Sequence, residues 1–271
     1  LIRLHFHKII LLLTAATFLF SCEKVIEVPI DDQDQAIVVE AVMKDRQGAS
    51  FVKLSKTSGI YEPYGFEKVS GASVVVSDDN ANQFVFVEDI GQAGVYFHPT
   101  FVTQENTTYN ISITVGENII TGSSFTKSAP VMDSIYVKVN TLDPNTPPSN
   151  WVYYHSTDNV NEQNFYRLRI WVNSDESNQY YMGNDFYING ETYEAQFIAD
   201  EAYSGDTILV EMEEMDEQVY NYYYGLSNTL FTGAFSPAPA NPPSNLSNSG
   251  PASITGVFAA FMTDTLGMIV P

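Results

Sequence analysis

Histidine, cysteine and closely spaced carboxylates are the side chains that could run a reaction, and this 271-residue sequence is poor in the first two. It holds four histidines and one cysteine. His5 and His7 fall in the first few residues, leaving His98 and His155 for any imidazole chemistry in the body of the chain. A zinc site would have to recruit both from distant positions and add carboxylates, and no H-x-x-H spacing is present. His155, Ser156 and Asp158 supply the residue types of a nucleophilic triad. Neighbours on a strand or turn do not converge on one substrate atom, and no G-x-S-x-G elbow presents a serine, so the three read as an exposed loop. Carboxylates are plentiful at 33. Glycoside hydrolysis needs two of them about 5–10 Å apart across a cleft, and no spacing singles out a pair. The clusters Asp31 to Asp34, Asp78 to Asn82 and Ser174 to Asn178 offer oxygen ligands for calcium but lack the EF-hand glycine and terminal glutamate. They read as turn formers. The run Glu211, Glu213, Glu214, Asp216, Glu217 reads as a solvated strand edge followed by a helix start. No glycine-rich phosphate loop is present, so neither a nucleotide nor another cofactor is expected.

The single cysteine points to a different chemistry. Arg3 and Lys8 precede an apolar run from Ile9 to Leu13 that resumes through Ala15, Ala16, Phe18, Leu19 and Phe20. A basic start, a short apolar stretch and a small residue at its end read as a signal peptide over residues 1–21. The stretch is shorter than the about 20 apolar residues a spanning helix requires. Leu19-Phe20-Ser21-Cys22 resembles the lipobox of bacterial lipoproteins, with Phe20 bulkier than usual. Cleavage before Cys22 and acylation of its sulfur would anchor the chain to a membrane, since two or more acyl chains hold stably. Residues 22–35, with Pro29 and three aspartates, read as a tether. A lipidated Cys22 also removes cysteine nucleophiles and disulfides from consideration. The formal charge of −21 repels phosphate backbones and anionic headgroups, which excludes nucleic acid as a partner.

The elements that would position any site are mainly strands, because 17 Tyr and 17 Phe join many Val and Ile. Short apolar alternations separated by turn residues fill residues 36–128 and predict an immunoglobulin-like β-sandwich. Tyr109 is either its tyrosine corner or a plain core aromatic. A new alternation opens after Ser128 and predicts a second, β-rich domain over residues 129–271. Within it, strands are expected at 164–172, 185–189, 192–198, 207–212, 256–262 and 266–270. Ile208, Val210 and Met212 would face one way, and Glu211 and Glu213 the other. One helix is expected at 217–227, capped by Asp216. Three loops with turn composition carry aromatics suited to recognition: Tyr61 and Tyr64, Trp151 in the Pro-rich 140–154, and Phe235 in 235–246.

Several segments in order resemble the domain-of-unknown-function family DUF4249 of Bacteroidetes lipoproteins. They are C-E-K-V-I-E-V from Cys22, A-I-V-V-E-A from Ala36, T-Y-N-I-S-I-T-V from Thr108, M-D-S-I from Met132, N-F-Y-R-L-R-I from Asn164, and F-S-P-A-P-A-N-P-P-S-N from Phe235. The resemblance implies an outer-membrane, surface-exposed lipoprotein, since such families are often encoded beside TonB-dependent transporters. It implies no molecular activity. A non-catalytic binding or accessory protein is therefore the expectation. The alternatives are a surface hydrolase of polysaccharide or peptide using paired carboxylates, and a purely structural part of an outer-membrane assembly. Asp133-Ser134-Ile135, Asp206-Thr207-Ile208 and Asp264-Thr265-Leu266 resemble the O-glycosylation acceptor of the same phylum, making Ser134, Thr207 and Thr265 candidate glycan sites.

Overall fold

Alternation of apolar and polar residues lets a strand bury one face, and the chain follows that pattern into sheets. The computed structural model describes residues 35–59, 65–140, 149–230 and 241–271. Among these the protein is mainly β, as expected, with a single helix. Seven strands come first: β1 (Ile37–Met43), β2 (Phe51–Lys56), β3 (Ser73–Ser77), β4 (Gln83–Glu88), β5 (Val95–Phe97), β6 (Thr107–Val115) and β7 (Asn118–Thr126). Then come β8 (Met132–Val139), β9 (Asn150–Thr157), β10 (Phe165–Val172), β11 (Asp175–Glu176), β12 (Tyr181–Asn184), β13 (Thr192–Ala202) and β14 (Thr207–Glu214). Helix α1 (Glu217–Leu230) precedes β15 (Leu246–Asn248), β16 (Ile254–Ala260) and β17 (Met262–Ile269).

The largest sheet runs β15-β7-β6-β3-β4-β5-β2-β1-β16 and folds over on itself. Its two ends meet through side chains. Asn245 donates to the carbonyls of Ser123 and Phe258 and accepts from the Phe258 amide, while the Ala260 amide donates to Ser124 Oγ. Inside lie Val39, Leu54, Val76, Phe86, Ile111, Ile120 and Phe258, all nearly or fully buried. The result is sandwich-like. Tyr109 is buried, and its hydroxyl accepts the Gln104 amide at 2.8 Å, five residues upstream, which is the bond of a tyrosine corner.

Sheet membership does not divide at residue 128. β15 pairs with β7, and β16 lies parallel to β1, so the expected C-terminal domain lends two strands to the first sheet. The apolar Ile254 to Ala260 segment finds its partner near the start of the chain. Parallel register brings Gly256 against Val39, at a φ of +118°, and a Cβ there would sit 1.9 Å from the Val39 carbonyl oxygen. Only glycine fits.

The remaining strands form two smaller sheets, β11-β10-β14-β17 with β12 also on β10, and β13-β9-β8. Val152, Leu168, Ile170, Phe197, Val210 and Met212 fill the core between them. The chain passes from the large sheet to the second one at Phe261, whose amide donates to the Met43 carbonyl. The terminal strands therefore break there and not between 262 and 266. Residues 185–189 form turns in place of the expected strand, because the Asp185 carboxylate takes the Asn164 amide and its carbonyl takes the Ile188 amide.

Helix α1 runs three residues past the expected end. Asp216 caps it, with Oδ1 accepting the Val219 amide at 2.9 Å. Its other oxygen takes Ser124 Oγ and the Phe125 amide, tying the helix start to β7. Val219, Tyr220 and Tyr223 pack the helix onto Val42, Val257 and Phe261.

Candidate functional site

Strand β10 presents Leu168 and Ile170 to the core and, by alternation, Arg167, Arg169 and Trp171 to the other face. β14 does the same with Val210 and Met212 against Glu211 and Glu213. The antiparallel register sets Arg167 opposite Glu213 and Arg169 opposite Glu211. Opposite charges directly across a pair stabilise a sheet. This face is not solvated. The carboxylates of Glu211 and Glu213 are about as buried as any core side chain, which overturns the reading of this acidic run as a solvent edge.

The cover comes from the β1–β2 hairpin and from α1. Ser50 Oγ accepts the Lys44 amide, and Asp45 accepts the amide and hydroxyl of Thr263, which fastens the hairpin to β17. So held, Lys44 is 3 % exposed. Its ammonium donates to Glu211 and lies 2.6 Å from Glu213. Arg46 reaches Glu211 Oε2 at 3.1 Å from a side chain still 56 % exposed. Arg167 donates to Glu213 and lies 4.0 Å from the Tyr223 ring centroid. Arg169 forks onto Glu176 with two bonds of 2.7 Å and rests 4.7 Å from the Trp171 ring.

Burial pushes the Glu213 carboxyl up, but the Arg167 guanidinium and Lys44 ammonium outweigh it and hold the group well below the carboxylate range. Arg167 is raised in turn, with Glu213 overcoming the effect of burial. Burial takes the Tyr222 phenol up to about 12. Each buried ionisable side chain of the network faces one of opposite sign, as the cost of burying an unpaired ion requires.

Above it opens a cleft of about 1050 Å³ between β1–β2, β10, the 176–180 segment and α1. Phe51, Trp171, Tyr180 and Tyr222 supply aromatic walls, and Ser177, Asn178 and Gln179 supply hydroxyl and amide groups. Among the described residues there are nine lysines and arginines, and five of them line this cleft: Lys44, Arg46, Lys53, Arg167 and Arg169. In a chain of formal charge −21 that is a concentration of cations in one place, set against the lining carboxylates Glu40 and Glu176 and the buried Glu211 and Glu213.

Of the residues weighed from sequence, Glu176, Ser177 and Asn178 of the Ser174 to Asn178 cluster line the cleft, and Glu211 and Glu213 lie beneath it. Cys22, Tyr61, Tyr64 and Phe235 fall outside the described residues. Trp151 is half-buried on β9, opposite Lys138 and Glu201, and does not line the cleft. Thr207 is exposed at the start of β14, whereas Ser134 and Thr265 are partly buried within strands. His155 and Ser156 occupy β9 and not a loop, so their side chains leave opposite faces of the strand. Ser156 donates to the Val131 carbonyl, and Asp158 is buried beneath the Tyr166 hydroxyl and the Gly190 amide. Asp78 spends its carboxylate on the amides of Asn80 and Asn82 in the β3–β4 turn.

What sequence reasoning missed is Trp171 with its charged neighbours. The signal was present as R-x-R-x-W at 167–171 and E-x-E at 211–213, two alternations of opposite charge on strands that could pair.

No curated protein matches the chain. Residues 23–266 match the family described as Domain of unknown function (DUF4249), and the chain belongs to that family.

Proposed function

We propose that this protein is a non-catalytic outer-membrane lipoprotein, lipidated at Cys22 and exposed at the cell surface. It binds a ligand in the cleft as an accessory component of a TonB-dependent transporter. The observation that carries the binding role is the cleft itself, whose aromatic walls and convergent polar groups have the make-up of a ligand site. A hydrolase would need one carboxyl with a raised pKa to act as acid. Beneath this cleft Glu213 is shifted the opposite way, and Glu211 is engaged by Lys44, Arg46 and Arg169. That arrangement favours binding over turnover.

The test is an affinity pull-down of the tagged native lipoprotein from its own outer membrane in mild detergent, with mass spectrometry of the eluate. Stoichiometric recovery of a TonB-dependent transporter is expected. Recovery of the lipoprotein alone would overturn the accessory role.

A further inference from the structure

Resting on the reading of the cleft as a ligand site, we infer that its ligand is an acidic saccharide, a chain of sugars bearing carboxylate or sulfate groups. Three features narrow the class. The deep cations Lys44 and Arg167 are consumed by Glu211 and Glu213, but Arg46 and Lys53 at the mouth are about half exposed and only partly engaged. Among the described residues Arg46 makes one ion pair, to Glu211, and Lys53 lies 3.4 Å from Glu40 and 4.3 Å from the Phe51 ring centroid. A guanidinium with free edges takes a carboxylate or sulfate by paired hydrogen bonds.

The walls identify what carries the anion. Trp171, Tyr180 and Tyr222 present flat rings, and Asn178 and Gln179 present amides that both donate and accept. Rings that stack on the C–H face of a sugar and amides that bond its hydroxyls answer both aspects of a pyranose. A peptide bound by strand addition or as a helix would instead seek a free strand edge or an apolar groove, and an acidic peptide, which cationic clusters also take, is told apart by titration. The long strands that wall the cleft have both edges paired: β1 lies between β2 and β16, β2 between β5 and β1, and β10 between β14 and β11 with β12. The edge that reaches the cleft is the two-residue β11, too short to seat an extended peptide. The net negative charge of the chain repels an anionic ligand at large, and the half-exposed Arg46 and Lys53 offset that repulsion at the cleft mouth, where Glu40 and Glu176 also lie.

The experiment uses the full-length protein with Trp151→Phe, which leaves Trp171 as the sole tryptophan, excited at the red edge where tyrosine does not absorb. It is titrated in parallel with oligogalacturonate, a sulfated galactan oligomer, a neutral galactan oligomer of equal length and an acidic peptide. Either or both acidic sugars are expected to change the Trp171 emission saturably, with at least tenfold weaker binding by the neutral oligomer. Carboxylate and sulfate are told apart by which arm binds. Arg46→Gln, at an exposed position, is expected to weaken the acidic sugar at least tenfold while Lys68→Gln, outside the cleft, leaves it unchanged; equal thermal melting of both variants excludes misfolding. Equal binding of the neutral oligomer, or binding of the peptide alone, overturns the saccharide assignment while leaving a ligand site in the cleft. Binding of none of the four overturns the inference too, and the transporter pull-down then decides the accessory role separately.

Discussion

Two adjacent glutamates on β14 meet opposite fates because the strand sends them to opposite faces. Glu213 enters a nest of cations, and Glu214 enters the other layer, fully buried, with Lys127 at 3.4 Å as its ion-pair partner. Burial pushes the Glu214 carboxyl up to about 8, with Lys127 opposing and Glu162 reinforcing the shift. Folded Glu214 thus keeps its proton where the unfolded chain, with an ordinary carboxyl near 4.5, has lost it. Unfolding releases a proton between those values, so its contribution to stability falls as pH rises from about 4.5 to 8. Glu214→Gln should therefore be more stable than the parent at pH 8, by roughly 1–3 kcal/mol, with the gain fading near pH 5. Urea titrations at the two pH values check this, and parallel pH profiles for both proteins would contradict it. Glu213→Gln should act in the reverse sense, costing about 3–5 kcal/mol at neutral pH because buried Arg167 loses its carboxylate and Lys44 keeps only Glu211. An unchanged midpoint of urea unfolding would show that the network contributes nothing. Neither fate is written at the residue: Glu211, Glu213 and Glu214 are a run of acids in sequence, and only the cover over each face distinguishes them.

At the scale of elements, α1 begins where one aspartate serves two structures. Asp216 caps the helix through Val219 and holds β7 through Ser124 and Phe125. Loss of an N-cap side chain alone costs about 1 kcal/mol, and the additional bonds to β7 should raise the effect of Asp216→Ala to roughly 2–3 kcal/mol. Asp216→Asn, which keeps the cap acceptor, should recover part of it, and thermal unfolding of the pair measures the difference. Most strands and the helix were legible because alternation and capping are local signals. Residues 185–189 misled because their apolar residues belong to a turn organised by Asp185, a side-chain bond that pattern does not encode. The cleft escaped for a related reason. The R-x-R and E-x-E alternations predict a charged strand face, but whether such a face meets water or another sheet depends on the β1–β2 hairpin, far away in sequence.

For the whole molecule, strands from beyond residue 128 join the first sheet at two places, and the one that sequence cannot reveal is the parallel match between β1 and β16. A fragment ending at residue 128 would lack β15 and β16 and expose the apolar side of β1. It should show no cooperative unfolding transition, whereas the chain through residue 271 should melt as one unit; calorimetry of both decides the matter. A fragment with its own sharp transition would restore the two-domain view. The same pairing sets a timetable. β1 is made more than two hundred residues before its parallel neighbour. Loop closure over such a distance is slow relative to hairpin formation, so β1 waits with one edge open while the rest of the chain is made. The nascent protein is then exposed to aggregation through that edge until β16 emerges, and a holdase that shields a single strand edge would raise its yield more than one that binds unfolded chain at large.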